Sequence, residues 1–407
     1  MRIQSVSGAP AAGTFTNDDQ AAILAGASRD GYFYRGTAIT RGYGEIRQPS
    51  ESLLILLGLE DGHTVLGAGV SVQYAGGSGR EPLLRAADAL DRWQGELRRV
   101  LEGHRAEDFR AGCARLGGLG LPKSVEYGVT QALLAAAAYA RRITMAEVIA
   151  AEWSTGVEIA PVPILAQSGE DRRGAVDRMV LRRVDSLPHG LINAPDLVGA
   201  DGAVLLEYVT WVRNRIRQNT GSDYAPVLHF DLYGTLNQVF GTLARCADYL
   251  CELEAVAAPY RLRIEQPVSA GSRAAQIDAM AELRELLARA GSRVQLVADE
   301  WCNTLDDVHA FIAAGAADVV QIKLPDVGGI DAIVESILAC RAAGVAAYCG
   351  GSCTETDLSA RVATQVAMGT AADVLLARPG MGVDEAVMVT RNEMTAVLAT
   401  IGNRSPR

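Results

Sequence analysis

From Pro161 onward, short apolar runs recur between helical stretches: VPILAQS, GLINA, PVLHFDLYG, YRLRIEQP, VQLVADE, DVVQIKLPD, VAAYCGG and DVLLARPG. Strands that alternate with helices pair in parallel, and eight such units are the number that closes a (β/α)8 TIM-type barrel. The 247 residues from 161 to 407 agree with the size of a typical barrel, about 250 residues. An open doubly wound sheet is the competing arrangement. Against it, no GxGxxG follows the first run, and the glycine-rich YAGGSGREP lies well upstream, where a surface turn is expected. Ahead of the barrel the rhythm differs: strand-like SLLILLGLEDG and VLGAGVSVQY come first, joined by the turn-like EDG, and long Ala/Leu/Arg helices follow. That order reads as an α+β domain. The expected division is therefore an α+β N-terminal domain at 1–160 and a barrel domain at 161–407 with a C-terminal extension. No low-complexity linker separates them, so close packing is expected. The tail GMGVDEAVMVTRNEMTAVLA should form a short element and a helix.

Charge and cysteine content narrow the function. A formal charge of −10 disfavours nucleic acid or an anionic membrane as the main partner and leaves a small anionic substrate open. No run approaches the about 18 apolar residues of a spanning helix, and MRIQSVSGAP lacks the apolar core of a signal peptide. The expectation is a cytoplasmic protein. Seven cysteines with no CxxC pair and no zinc-type spacing are expected to be reduced thiols, mostly small core residues. Of 38 basic residues, 36 are Arg and two are Lys, at Lys123 and Lys323.

Chemistry in a barrel of this kind sits at the C-terminal ends of its strands. Asp231 ends LHF, Glu265 ends LRI, Asp299 ends LVA and Lys323 ends VVQI, with separations of 34, 34 and 24 residues. Each step is about one βα unit, so three carboxylates and a lysine project into one mouth. Singly, each acid could instead cap a helix or pair with an Arg. Together the three would repel one another unless a cation neutralised them. An all-oxygen set suits Mg2+ or Mn2+ better than zinc. Lys323 is either a neutralising partner of these acids or a general base. The second role needs about 4 to 5 kcal/mol of bias to bring a pKa near 10.4 down to 7, which burial beside a divalent cation favours. Arg cannot do this, so a lysine kept here in a chain that otherwise writes Arg fits a base. Lys123, in GLPKSVEYG, reads as an ordinary surface or cap residue. A metal and a lysine base together suggest proton abstraction next to a carboxylate. Elimination, racemisation, dehydration and cycloisomerisation all begin that way. A non-catalytic binding barrel predicts loss of the acids or the lysine, and neither is lost.

The motifs resemble the enolase superfamily and, within it, the methylaspartate ammonia-lyase family, over essentially the whole chain. TNDDQAAI, DGYFYRGTAITRGYGEIRQ, VQYAGGSGR and YGVTQALL are similar to that family's N-terminal capping domain. AQSGEDRR, LPHGLIN, DYAPVLHFDLYGT, LRIEQP, LVADEWCNT, VQIKLPD, AYCGGSCTET and RPGMGVDE are similar to its barrel blocks. The resemblance implies a carbon-nitrogen lyase that converts L-threo-3-methylaspartate reversibly to mesaconate and ammonia. It also implies a Mg2+ requirement, a monovalent cation such as K+ as activator, and a homodimer. It assigns Asp231, Glu265 and Asp299 to the metal and Lys323 to the C3 proton. His189 would face the substrate from the other side, stabilising the transition state or acting on the opposite epimer. By itself His189 reads as a plain hydrogen-bonded histidine ahead of the run GLINA. Gln167 and Gln321 match substrate-holding amides, Gln73 would reach over from the first domain, and Ser352 and Cys353 belong to the GGSCTET segment. Two positions depart from the family's pattern: Ser352 stands where Thr is usual and Gln266 where Gly is usual, which bears on the choice among β-substituted substrates. Another reaction of the superfamily, acid-sugar dehydration or cycloisomerisation, is the alternative.

Overall fold

The computed structural model describes residues 1–380 and 382–404. Met381 of the RPGMGVDE motif lies outside the described residues. In the strand Arg47–Leu59, residues 53, 55, 57 and 59 are buried and the three between them are half-buried, so one face is set toward the core although every residue from 53 to 59 is apolar or glycine. It pairs antiparallel with Thr64–Val70 across the turn at Asp61–Gly62, and on its other side with the long strand Ile3–Asp18. The helix Lys123–Arg141 crosses this sheet where the chain has little side-chain bulk. A Cβ at Gly67 would lie 2.0 Å from the carbonyl oxygen of Gly128, and one at Gly69 would lie 2.2 Å from that of Ser124. Glycine at these positions lets helix and strand backbones touch.

Eight parallel strands then close into a barrel: Ile164–Leu165, Ser186–His189, Val227–Asp231, Leu262–Glu265, Gln295–Ala298, Val319–Lys323, Ala346–Gly350 and Val374–Leu376. Alternation of side chains along each strand sorts them into two environments. Leu228, Phe230, Ile264, Leu296, Val320 and Ile322 join the large core shared with the outer helices, whereas Leu165, Val297, Val319, Tyr348, Val374 and Leu376 fill the barrel interior. Helices start on side-chain caps at Asp171, Thr242, Ser272, Thr304 and Thr356, each accepting a backbone N–H from the first turn. The tail forms the helix Val383–Gly402, and Gln365 donates to its Glu393 at 2.6 Å. Seven of the eight strand positions agree with the runs read from sequence. The second does not: the strand is Ser186–His189 rather than GLINA, so His189 ends a strand instead of preceding one.

The N-terminal sheet sits against the barrel mouth. Thr14 donates to the carbonyls of Cys353 and Glu355, both at 2.6 Å, and Thr354 donates to the carbonyl of Ser71 at 2.7 Å. A buried ion pair, Arg378 with Glu355 at 3.0 Å, receives Tyr127 Oη from the capping helix at 2.7 Å. The expected close packing of the two units is present.

Candidate active site

Asp231, Glu265 and Lys323 are the last residues of their strands, and Asp299 follows the last residue of its own. Period two then adds residues that carry the same face one step deeper: His229 below Asp231 and Gln321 below Lys323. The turns that follow are strained. His189, Tyr233, Gln266 and Trp301 all have positive φ, between 43° and 67°. Each such residue costs on the order of 1 to 3 kcal/mol, a burden typical of functional sites.

The carboxylates are held from several sides. Lys323 Nζ lies 2.7 Å from both oxygens of Asp299, with 13% of the lysine side chain exposed. Arg80, from the capping unit, reaches Asp326 at 2.8 Å, Asp299 at 3.3 Å and Glu300 at 3.5 Å. Glu265 is completely buried, shares a hydrogen bond with His229 Nε2 at 2.6 Å and takes a further one from Gln321 Nε2. Asp231 accepts from the Tyr233 amide at 3.0 Å and lies 3.4 Å from His189 Nε2.

These surroundings set the charges. Burial, reinforced by neighbouring carboxylates, pushes Asp231 and Glu265 well above the usual carboxylate range. Burial also raises Asp299, but Lys323 and Arg80 outweigh it and hold that group below its ordinary value. Glu300 is pushed up to about 7 by burial and by Asp299. Burial, helped by Lys323, lowers His189 to about 4, leaving a neutral imidazole at pH 7. For Lys323, burial and Arg80 pull downward, yet Asp299, Glu300 and Asp326 prevail and its pKa is raised.

Two buried carboxylates that the chain leaves undercompensated suit a hard cation. Ligand atoms of His189, Asp231 and Glu265 all lie within 4.8 Å of one another. Asp299, the third acid expected from sequence, faces the same mouth but is engaged by Lys323 and Arg80.

The expected substrate-holding residues converge here as well. One cavity is lined by Gln73, Gln167, Gln321, Ser352 and Cys353 together with His189, Asp231 and Lys323. Gln167 donates to the Gly380 carbonyl at 2.8 Å, and Cys353 Sγ lies 3.4 Å from Gln73 Oε1. Ser352 also serves the seam between the units, its hydroxyl accepting the Gln73 amide at 3.0 Å. The Oε1 of Gln321 is buried without a partner among the described residues.

Sequence reasoning missed several neighbours. Arg80 sits in YAGGSGREP, which forms the expected turn with Gly76 and Gly79 exposed, but the Arg80 side chain is 1% exposed and spans three acids of the barrel. The signal was an arginine in a glycine-rich loop near Gln73, but nothing in the sequence tied that loop to the barrel. His229 could have been found, since it lies two residues before Asp231 on one strand. Glu300 and Asp326 adjoin the motifs already noted. Lys123 is not the cap residue, which is Pro122; it is the first residue of the capping helix and pairs with Glu126 at 2.9 Å.

Comparison with known proteins gives a consistent picture. Residues 1–154 match the family model described as methylaspartate ammonia-lyase N-terminus, and residues 156–403 match that of its C-terminus. The methylaspartate ammonia-lyase of Clostridium tetanomorphum is 44% identical, the match covering 99% of this chain and 100% of that one. A crystal structure of β-methylaspartase from that organism, as a Mg complex, superposes with a TM-score of 0.93, at 44% identity, over 100% of both chains. The Citrobacter amalonaticus methylaspartate ammonia-lyase structure containing (2S,3S)-3-methylaspartic acid gives a TM-score of 0.95 at 39% identity, over 99% of this chain and 100% of that one. Muconate lactonizing enzyme from Pseudomonas putida, 16% identical with a TM-score of 0.61 over 90% of this chain and 85% of that one, shares the fold.

Proposed function

The chain belongs to the methylaspartate ammonia-lyase family of the enolase superfamily, and from that premise we propose that it eliminates ammonia reversibly from L-threo-3-methylaspartate to give mesaconate, with Lys323 as the base. The observation that carries this reading is the convergence of Lys323, His189 and Asp231 on one cavity, with Asp299 paired to Lys323 and a Glu265 oxygen within 4.8 Å of His189 and Asp231 ligand atoms.

Asp231, Glu265 and Asp299 would hold a divalent cation, Mg2+ or Mn2+. Such a cation supplies neutralisation of the acids and stabilises the negative charge that develops on the substrate carboxylate beside C3. Lys323 takes the C3 proton on Nζ. The electron pair of the C3–H bond forms the C2=C3 double bond as the C2–N bond breaks, and the protonated amine, –NH3+, leaves with the C2–N bonding pair as ammonia. His189, neutral at pH 7, faces the substrate from the opposite side, where it stabilises the developing charge or accepts the proton of the other C3 epimer. Gln167, Gln321 and Gln73 orient carboxylates and amine without adding net charge, and Ser352 and Cys353 close the cavity. Gln266 and Ser352 bear on tolerance for bulkier β-substituents. A monovalent cation such as K+ as activator, a homodimer and a cytoplasmic setting complete the proposal. Among the described helices none is long and apolar enough to cross a membrane. The N-terminal capping domain would run over 1–160 and the catalytic barrel over 161–407.

The deciding experiment is incubation of purified protein with Mg2+ and (2S,3S)-3-methylaspartate. Ultraviolet absorbance from the conjugated diacid should rise in step with released ammonia. Absence of both, with turnover of another carboxylate, would replace this reading by a different superfamily reaction. Chelation should abolish the activity and added Mg2+ restore it.

A further inference from the structure

Directly after Glu265 the chain passes through Gln266 at φ 43°, in the left-handed region that favours glycine. Gln266 is 1% exposed, and all its polar atoms are engaged. Its backbone N–H donates to the Val297 carbonyl at 3.0 Å, and its carbonyl accepts from Gly234 N at 2.7 Å, so its main chain is stitched to the strand ends on both sides. The side chain goes further. Oε1 accepts from the amides of Glu300 at 3.1 Å and Asp299 at 3.4 Å, while Nε2 donates to the Val268 carbonyl at 3.0 Å.

Glycine would adopt the same turn with less strain. What glutamine adds is an acceptor for two buried amides at the corner that carries Asp299. The Asp299 carboxylate is held by Lys323 and Arg80. The Gln266 carboxamide holds the backbone of the same corner from the Glu265 side.

We propose that Gln266 is a positioning residue: its carboxamide clamps the Asp299–Glu300 corner to the Glu265 strand end and so fixes the spacing of two carboxylates that would share a divalent cation. The inference rests on the metal reading given above. Residues that hold metal ligands in place commonly contribute about tenfold or more to affinity.

Two variants separate the carboxamide from the backbone. Q266G removes the clamp and relieves the left-handed turn, while Q266M keeps side-chain length and turn strain but has no acceptor. Amide hydrogen exchange of metal-free protein should accelerate about tenfold or more at Asp299 and Glu300 in both variants. Calorimetric titration with Mg2+ should show Kd raised about tenfold in both, with each metal-free variant still unfolding cooperatively on heating. Parental exchange at both amides in Q266M overturns the clamp, and an unchanged Kd in either variant overturns the positioning role. If the parent itself binds no Mg2+, the metal reading fails instead, and the exchange measurement still decides whether the clamp exists.

Discussion

Lys323 illustrates how neighbours decide what one side chain can do. Burial and Arg80 lower its pKa, but Asp299, Glu300 and Asp326 outweigh them, so in the chain alone the ammonium is retained. Acting as a base requires the neutral amine, and the charge of those acids must therefore be taken up elsewhere. An arginine at this position would keep the charge and the ion pair yet never release a proton at usable pH. K323R should melt within a few degrees of the parent while kcat for the (2S,3S) substrate falls by about a thousandfold or more; steady-state kinetics with thermal melting reads both. Near-parental turnover would remove Lys323 as the base. The place of this lysine beside the acids could be read in the sequence because a single Lys stood in register with three acids against a background of Arg. Arg80 could not, since its partners Asp299 and Asp326 lie 219 and 246 positions further along the chain. Position on a strand carries information about facing residues, whereas a loop from another unit carries none until the fold is known.

At the level of elements, the capping helix and the strand Thr64–Val70 meet backbone to backbone, and this contact is built on glycine. A Cβ at Gly67 would meet the Gly128 carbonyl at 2.0 Å, an atom that cannot rotate aside. Gly67→Val should therefore lower stability by about 2 kcal/mol or more. Gly95 is the internal control. It lies on an exposed face of the helix Ala86–Leu101, where an added Cβ would have nothing within 4 Å. Gly95→Ala should therefore add about 0.5 to 1 kcal/mol. Urea denaturation of both variants checks the pair, and equal effects would mean that the glycine contact is not what holds the helix. Elements with strong apolar rhythm were legible, among them Val227–Asp231 and Val319–Lys323. The second barrel strand was not, because SLPH carries a serine, a proline and a histidine while the neighbouring GLINA looks more strand-like. The strand Ile3–Asp18 was equally hidden. Its sequence IQSVSGAPAAGTFTND lacks apolar alternation, and its conformation follows from pairing with Arg47–Leu59 across two register irregularities.

On the scale of the whole molecule, the fold gathers acids into a mouth that the N-terminal unit closes. Arg47 joins Asp18 of its own sheet at 2.7 Å to Glu170 of the barrel at 3.2 Å, and Arg80 reaches across to three further acids. Arg47 and Arg80 are among the arginines that link the units, yet Asp231 and Glu265 remain undercompensated and hold protons above the ordinary carboxylate range. The sign of the resulting pH dependence follows. A folded pKa raised above its unfolded value contributes stability that is complete below the unfolded pKa and is lost as pH rises through the folded one. Without metal, these two acids and Glu300, at about 7, therefore make the protein less stable as pH rises from the ordinary carboxylate range toward neutrality and beyond. His189 has the opposite sign, since its pKa is lowered to about 4, and its loss of stability is confined to pH values falling below about 6.5. A divalent cation binds the deprotonated acids, so its affinity should grow with pH and its binding should release protons. At free Mg2+ about a hundredfold above Kd the folded state gains about 2.7 kcal/mol. The melting temperature with Mg2+ should therefore exceed that without it by a margin that widens between about pH 5 and 8. Calorimetry in two buffers of different ionisation enthalpy should register the released protons directly. A margin that stays constant or narrows as pH rises would mean that these carboxylates are not the ones the metal requires in charged form.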